Sequence, residues 1–119
     1  MRFRERLLEI RDRIDGAVAL SLVDSEGIAV ESVSVDAELD LEGLAAELLT
    51  QAKAISTHHR DLGVGTVQQL SVTTDQMSLI VSAVSPEYFL LLAMRRRGSY
   101  GRARFELLRA RLELESELT

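Results

Sequence analysis

Apolar residues at the start of the chain recur at helical intervals. Phe3, Leu7, Ile10 and Ile14 are spaced four, three and four apart, one stripe of an amphipathic helix. Gly16 follows as its stop signal. The period then shortens to two. Val18, Leu20 and Leu22 alternate with Ala17, Ala19 and Ser21, which predicts a strand with small residues on one face, where something must approach closely. After "DSEG" a second short strand follows, "IAVESV".

The helical period returns from about residue 40 to 59. Leu41, Leu44, Ala45, Leu48, Ala52, Ile55 and His59 fall on one face at ~100° per residue. Asp40 suits the N-cap, and Glu42 and Glu47 suit the early turns. Gly63 ends this element. "VGTVQQLSVTT" and "MSLIVSAV" read as two strands joined around Asp75 and Gln76. "YFLLLAM" is apolar throughout, the mark of a central strand covered on both faces. Residues 100–118 form a last helix whose apolar positions include Phe105, Leu108 and Leu112, which periodicity alone would turn inward.

The order is helix, two strands, helix, three strands, helix. A three-layer α-β-α sandwich with a central five-stranded antiparallel sheet satisfies every apolar surface in that order. No internal repeat and no Pro/Ser-rich linker divides residues 1–119, so a single domain is expected.

Composition narrows the function classes. The chain has no cysteine, hence no disulfide, thiolate metal site or thiol nucleophile. Its start is charged and lacks a secretory apolar run, and "FLLLAM" is far too short to span a membrane. A soluble, cytoplasmic protein is expected. The net charge of −5 makes nucleic acid a poor partner. That charge is unevenly spread: residues 14–52 hold nine acidic side chains and no Lys or Arg, while seven of the thirteen arginines crowd into residues 95–111. A solvated helix face plus a basic loop accounts for the arginine block; one basic patch is the alternative.

Candidate chemistry is sparse. "LVDSEGIAVES" places Asp24 and Glu26 just before Gly27, which raises the question of a cation loop. A calcium loop starting at Asp24 needs a glutamate at its twelfth position, and Val35 stands there. Flanking alternation makes the stretch a hairpin turn. His58 and His59 are neighbours on a helix, pointing ~100° apart, so they cannot share a metal as an i, i+4 pair does. "GVG" at 63–65 lacks the rest of any phosphate-loop or dinucleotide signature. No nucleophile has a base at hand. Neither catalytic residues, metal nor cofactor is expected.

One feature of the second helix stands out. Opposite its leucine face lie Gly43, Ala46, Thr50, Ala54 and Thr57, spaced three, four, four and three, with Glu47 and Lys53 on the same side. A solvated face usually carries Glu, Lys or Gln. A small-residue stripe lets another backbone come close, so these seven residues are the candidate partner or dimer face.

Residues 16–32, 41–55 and 70–94 together resemble the Roadblock family, which includes dynein light chains and bacterial MglB-type regulators of Ras-like GTPases. The resemblance implies a homodimer with the long second helices side by side and the third strands paired into one continuous sheet. It also implies that the helix pair offers a platform to a Ras-like small GTPase. Regulators of the MglB type accelerate GTP hydrolysis by reshaping the switch loops, without inserting an arginine, so Arg60 beyond the platform helix is not assigned a finger role. Their extended C-terminal tail has no counterpart after Thr119, and exchange-like effects are therefore not expected. The alternative function is a structural adaptor, resembling a light chain, that dimerises and tethers partners without affecting nucleotide turnover. A pocket-type small-molecule sensor is a third reading and requires a cavity.

Overall fold

The computed structural model describes the backbone of residues 3–61 and 63–118 and the side chains of all of these except 57–61. In chain order the elements are α1 (Phe3–Asp12), β1 (Ala17–Asp24), β2 (Ala29–Ser34), α2 (Leu41–Asp61), β3 (Gln69–Thr73), β4 (Met77–Ala83), β5 (Tyr88–Arg95) and α3 (Tyr100–Leu118). The strands form one sheet in the order β2-β1-β5-β4-β3, antiparallel throughout. The uniformly apolar β5 lies in its centre, as its composition demands. β3 starts later than the alternation suggests. Gly63 and Gly65 both take positive φ, 75° and 92°, which breaks the extended run before Gln69.

The sheet separates two cores. On one side Leu7, Ile10 and Ile14 join Leu20, Leu22, Ile80, Leu90 and Leu92 beneath α3. On the other, Ala45, Leu48, Leu49 and Ala52 of α2 pack on Ala19, Val23, Leu79, Val81, Leu91 and Ala93. Alanines on both surfaces here let the helix lie close to the sheet. An irregularity between Ala17 and Ala19 puts Val18 on this side and Ala17 on the other, so the small face of β1 is not the whole set that alternation assigned. Leu49, absent from the face assigned by periodicity, is nonetheless 2% exposed.

α3 departs from expectation. Its buried residues are Ala103, Glu106, Leu107, Ala110 and Leu114, whereas Phe105, Leu108 and Leu112 are 57%, 46% and 74% exposed. Both sets have helical spacing, so periodicity could not choose between the two faces. Ion pairing to α1 decides the orientation. Glu106 is fully buried, with one oxygen 3.2 Å from Arg13 Nε and the other 3.2 Å from Arg102 Nε. Glu113 accepts hydrogen bonds from Arg13 at 2.6 Å and Arg6 at 3.1 Å, and Glu117 accepts one from Arg6 at 2.9 Å. Turning α3 over would strand Arg6 of α1 and Arg13 just beyond it.

Candidate functional site

α2 begins where Asp40 caps it: the Gly43 N–H donates to Asp40 Oδ1 at 3.0 Å. Its leucines and two alanines fill the core, so its opposite side faces solvent. Gly43, Ala46, Glu47, Thr50, Lys53 and Ala54 are all exposed there. The side chain of Thr57, the remaining member of the candidate face, lies outside the described residues, as do those of His58, His59 and Arg60.

Two of the small residues make contacts inside the subunit, and for one of them the contact sets its size. A Cβ at Gly43 would collide with the capping carboxylate of Asp40. Ala46 meets the β1–β2 turn: a Cβ built on Gly27 would stand 3.3 Å from Ala46 Cα. Backbone thus approaches backbone at that point, and Gly27 also holds a φ of 87°. Thr50 folds its hydroxyl back onto Ala46 O at 2.8 Å, which removes a donor from the surface. Between Glu47 and Lys53 the face is shallow and nearly free of outward hydrogen-bonding groups. A helix or loop can approach it closely with little polar surface to desolvate.

The turn resting on Ala46 answers the question raised by Asp24 and Glu26. Asp24 Oδ1 accepts the N–H groups of Glu26 at 2.9 Å and Ile28 at 3.0 Å, and Gly27 N–H donates to Asp24 O at 3.0 Å. Asp24 is therefore a backbone-binding turn residue, not merely a solvated charge, and Glu26 points to solvent. Among the described residues, no three or more His, Cys, Asp or Glu side chains gather in a metal-holding group.

Near the C-terminal half of α2 a cleft of about 620 Å³ opens between Lys53, Ser56, Phe89 and Arg111. It borders the stretch leading into β3. Arg111 at its rim is held by Gln68 through a short hydrogen bond. β3 itself is bonded only to β4 and forms one edge of the sheet. Val72, directly opposite Leu79 and so on the α2 side of that edge, is 39% exposed. The family resemblance already implies that the third strand pairs with a second copy; what sequence patterning does not mark is the exposed Val72 on it, because one valine in a short strand carries no periodic signal.

No described helix is long and apolar enough to cross a membrane. The Roadblock/LC7 domain model matches residues 4–93, a segment that contains α2 and stops before α3. No curated protein matches the chain. Among solved structures, MglC from Myxococcus xanthus is 34% identical, with a TM-score of 0.71 over 98% of this chain and 99% of that one. A Roadblock/LC7 domain from Streptomyces avermitilis superposes with a TM-score of 0.88 at 16% identity, covering 99% of this chain and 98% of that one. Myxococcus xanthus MglB gives 0.85 at 19%, with the same two coverages of 99% and 98%; at such identities the likeness is one of fold. With the domain model covering most of its length and MglC similar from end to end, the chain belongs to the Roadblock/LC7 family.

Proposed function

We propose that this chain works as a homodimer that binds a Ras-like small GTPase through its paired α2 helices and modulates GTP hydrolysis, with no catalytic residue of its own. The observation supporting this is the position of the small face. α2 keeps Gly43, Ala46, Glu47, Thr50, Lys53 and Ala54 at the surface, on the same side of the sheet as the exposed edge residue Val72. A second copy added at β3 would pair that edge's N–H and C=O groups and cover Val72. It would also set two α2 helices side by side, their small residues allowing close approach. Thr57 belongs to the proposed face by its spacing. The remaining outward surface of the helix pair is a broad platform, with Glu47 and Lys53 supplying charge for partner choice. Binding the switch segments of a GTPase there changes turnover by fixing their conformation.

Two measurements test the proposal. Sedimentation at micromolar concentration is expected to give about twice the chain mass of 13.2 kDa. Pull-down with GTP-analogue-loaded extract, followed by mass spectrometry, names the GTPase, whose hydrolysis is then measured with and without this protein. A changed rate supports regulation. Retained binding at an unchanged rate assigns the adaptor role instead, and a monomer that captures no GTPase defeats both.

A further inference from the structure

Phe105, Leu108 and Leu112 form an exposed line along α3, on the side opposite Leu107, Ala110 and Leu114. Gly101 and Glu115 continue the line by one turn at each end. In heptad terms Phe105 and Leu112 occupy a positions, and Gly101, Leu108 and Glu115 occupy d positions. The flanking e positions are Arg102 and Arg109, and the flanking g positions are Arg104 and Arg111. A contiguous apolar seam with a charged rim is the usual form of an interaction surface. We propose that this seam docks an amphipathic helix of another protein, one with apolar residues at a and d and carboxylates at e and g.

Charge selects this occupant over a second copy. Antiparallel pairing sets e against e and g against g, and parallel pairing sets e against g; every such contact would bring arginine to arginine. Internal partners leave the rim accessible. Arg102 and Arg109 reach inward to Glu106, yet their side chains remain 58% and 51% exposed. Arg111, half-buried, is held by Gln68 and lies 3.7 Å from Glu115, so it is the least available of the four. Arg104 donates to neutral Gln69 and lies 5.8 Å from the Tyr100 ring centroid, with no carboxylate paired to it among the described residues.

Charge also disfavours an anionic bilayer. α1 lies beside α3 in the same layer, and its outward residues Glu5, Glu9 and Asp12 are exposed. A plane touching the seam would press those carboxylates toward lipid phosphates, whereas a helix about 10 Å wide can lie on α3 alone. The apolar line lies across the sheet from α2, although Arg104 and Arg111 bond Gln69 and Gln68 beside the β3 edge; Leu108→Glu touches neither, so its outcome is distinguishable from that of the proposed dimer.

The test uses a stapled synthetic helix with leucine at a and d and glutamate at e and g, and its twin with lysine at e and g. Fluorescence anisotropy with the full chain is expected to show saturable binding of the glutamate helix, at least about tenfold tighter than the lysine twin and weakened by salt. Leu108→Glu, checked for folding by circular dichroism, is expected to reduce that affinity at least about tenfold. Arg104→Glu with Arg111→Glu is expected to shift the preference toward the lysine twin. Equal binding of the two helices, no binding of either, or full binding by folded Leu108→Glu overturns the proposal. So does a higher oligomer that Leu108→Glu dissociates, which makes a second copy the occupant. Sedimentation with phosphatidylserine vesicles that depends on Leu108 assigns the seam to a membrane instead.

Discussion

α2 and α3 lie on opposite sides of one sheet and divide their residues in opposite ways. α2 is conventional: leucines and alanines face the sheet, and small or polar residues face water. α3 buries a glutamate and two alanines, and leaves a phenylalanine and two leucines outside. The difference lies in what holds each helix. α2 packs on the sheet through apolar area and close alanine contacts, so its outer face was left open to small residues. α3 is fixed to α1 by arginine–glutamate pairs as well as by Leu107 and Leu114, which leaves large apolar residues available for its outer face.

The largest expected effect inverts the usual ranking of polar and apolar substitutions. Glu106→Ala removes a fully buried carboxylate, empties its site and takes from the largely buried Arg13 one of its two carboxylate partners. A loss of about 3–5 kcal/mol in urea unfolding is expected. Phe105→Ser, one position away, is expected to change stability by no more than about 0.5 kcal/mol. In α2 the ordinary ranking holds, with Leu48→Ala costing about 2–5 kcal/mol. If Glu106→Ala proves neutral while Phe105→Ser unfolds the chain, α3 is turned the other way and the docking seam disappears.

Next in size is a charge placed on the small face of α2. Ala46→Arg keeps its Cβ beside Gly27 and extends outward into solvent, so one subunit loses little. Between two surfaces in close contact the same side chain costs several kcal/mol, of the order of ~2–7, through desolvation. Loss of GTPase binding with the dimer intact marks a partner surface, and a folded monomer marks the dimer seam. A variant that dimerises and binds as wild type does reduces the stripe to ordinary helix composition plus the Asp40 cap at Gly43. Circular dichroism and sedimentation together read the outcome.

The legibility of the sequence follows the same division. Every element and its order could be read, because each strand and helix carries its own period and the connections end at Gly16, Gly27 or Gly63. The family model likewise covers α1 to β5 and ends before α3. The orientation of α3 was not legible. Phe105, Leu108 and Leu112 make a more apolar stripe than Ala103, Ala110 and Leu114, and nothing in hydrophobicity announces that Glu106 belongs inside. The missing information was nonlocal: Arg6 and Arg13 stand about a hundred residues earlier. The α2 face was legible as small, but Gly43 owes its size to the Asp40 cap and Gly27 owes its own to the Ala46 backbone, contacts that spacing on one helix cannot reveal.

A smaller effect concerns the pH dependence of the α3 side. Burial pushes the Glu113 carboxyl upward, but the hydrogen bond from Arg13 and the charges of Arg13, Arg6 and Arg109 outweigh it and hold the group below the ordinary glutamate value. A depressed native pKa contributes stability that is complete above the unfolded value, near about 4.3. It is lost as pH falls through the native value. Urea midpoints should therefore fall below about pH 4.3 more steeply for wild type than for Glu113→Gln, and the gap between them should narrow as acid increases. Parallel curves for the two proteins would show that Glu113 is not coupled to the α1 arginines, and the clamp that distinguishes α3 from α2 would be weaker than its distances imply.

The smallest effect belongs to the turn that rests on α2. Asp24 spends Oδ1 on the N–H groups of Glu26 and Ile28, and asparagine offers an equivalent oxygen. Asp24→Asn combined with Glu26→Gln is accordingly expected to change stability by no more than about 0.5 kcal/mol. Calcium or magnesium should shift the melting temperature of neither form. Asp24→Ala supplies the contrast, because it removes the acceptor and should cost about 1 kcal/mol in the manner of a lost cap. The magnitude also reports on α2, since Gly27 meets Ala46 only while this turn keeps its shape. A cation-dependent stabilisation of wild type that the double variant loses would make the turn a ligand loop after all. The floor of the small face would then be set by a bound ion rather than by the Asp24 backbone contacts.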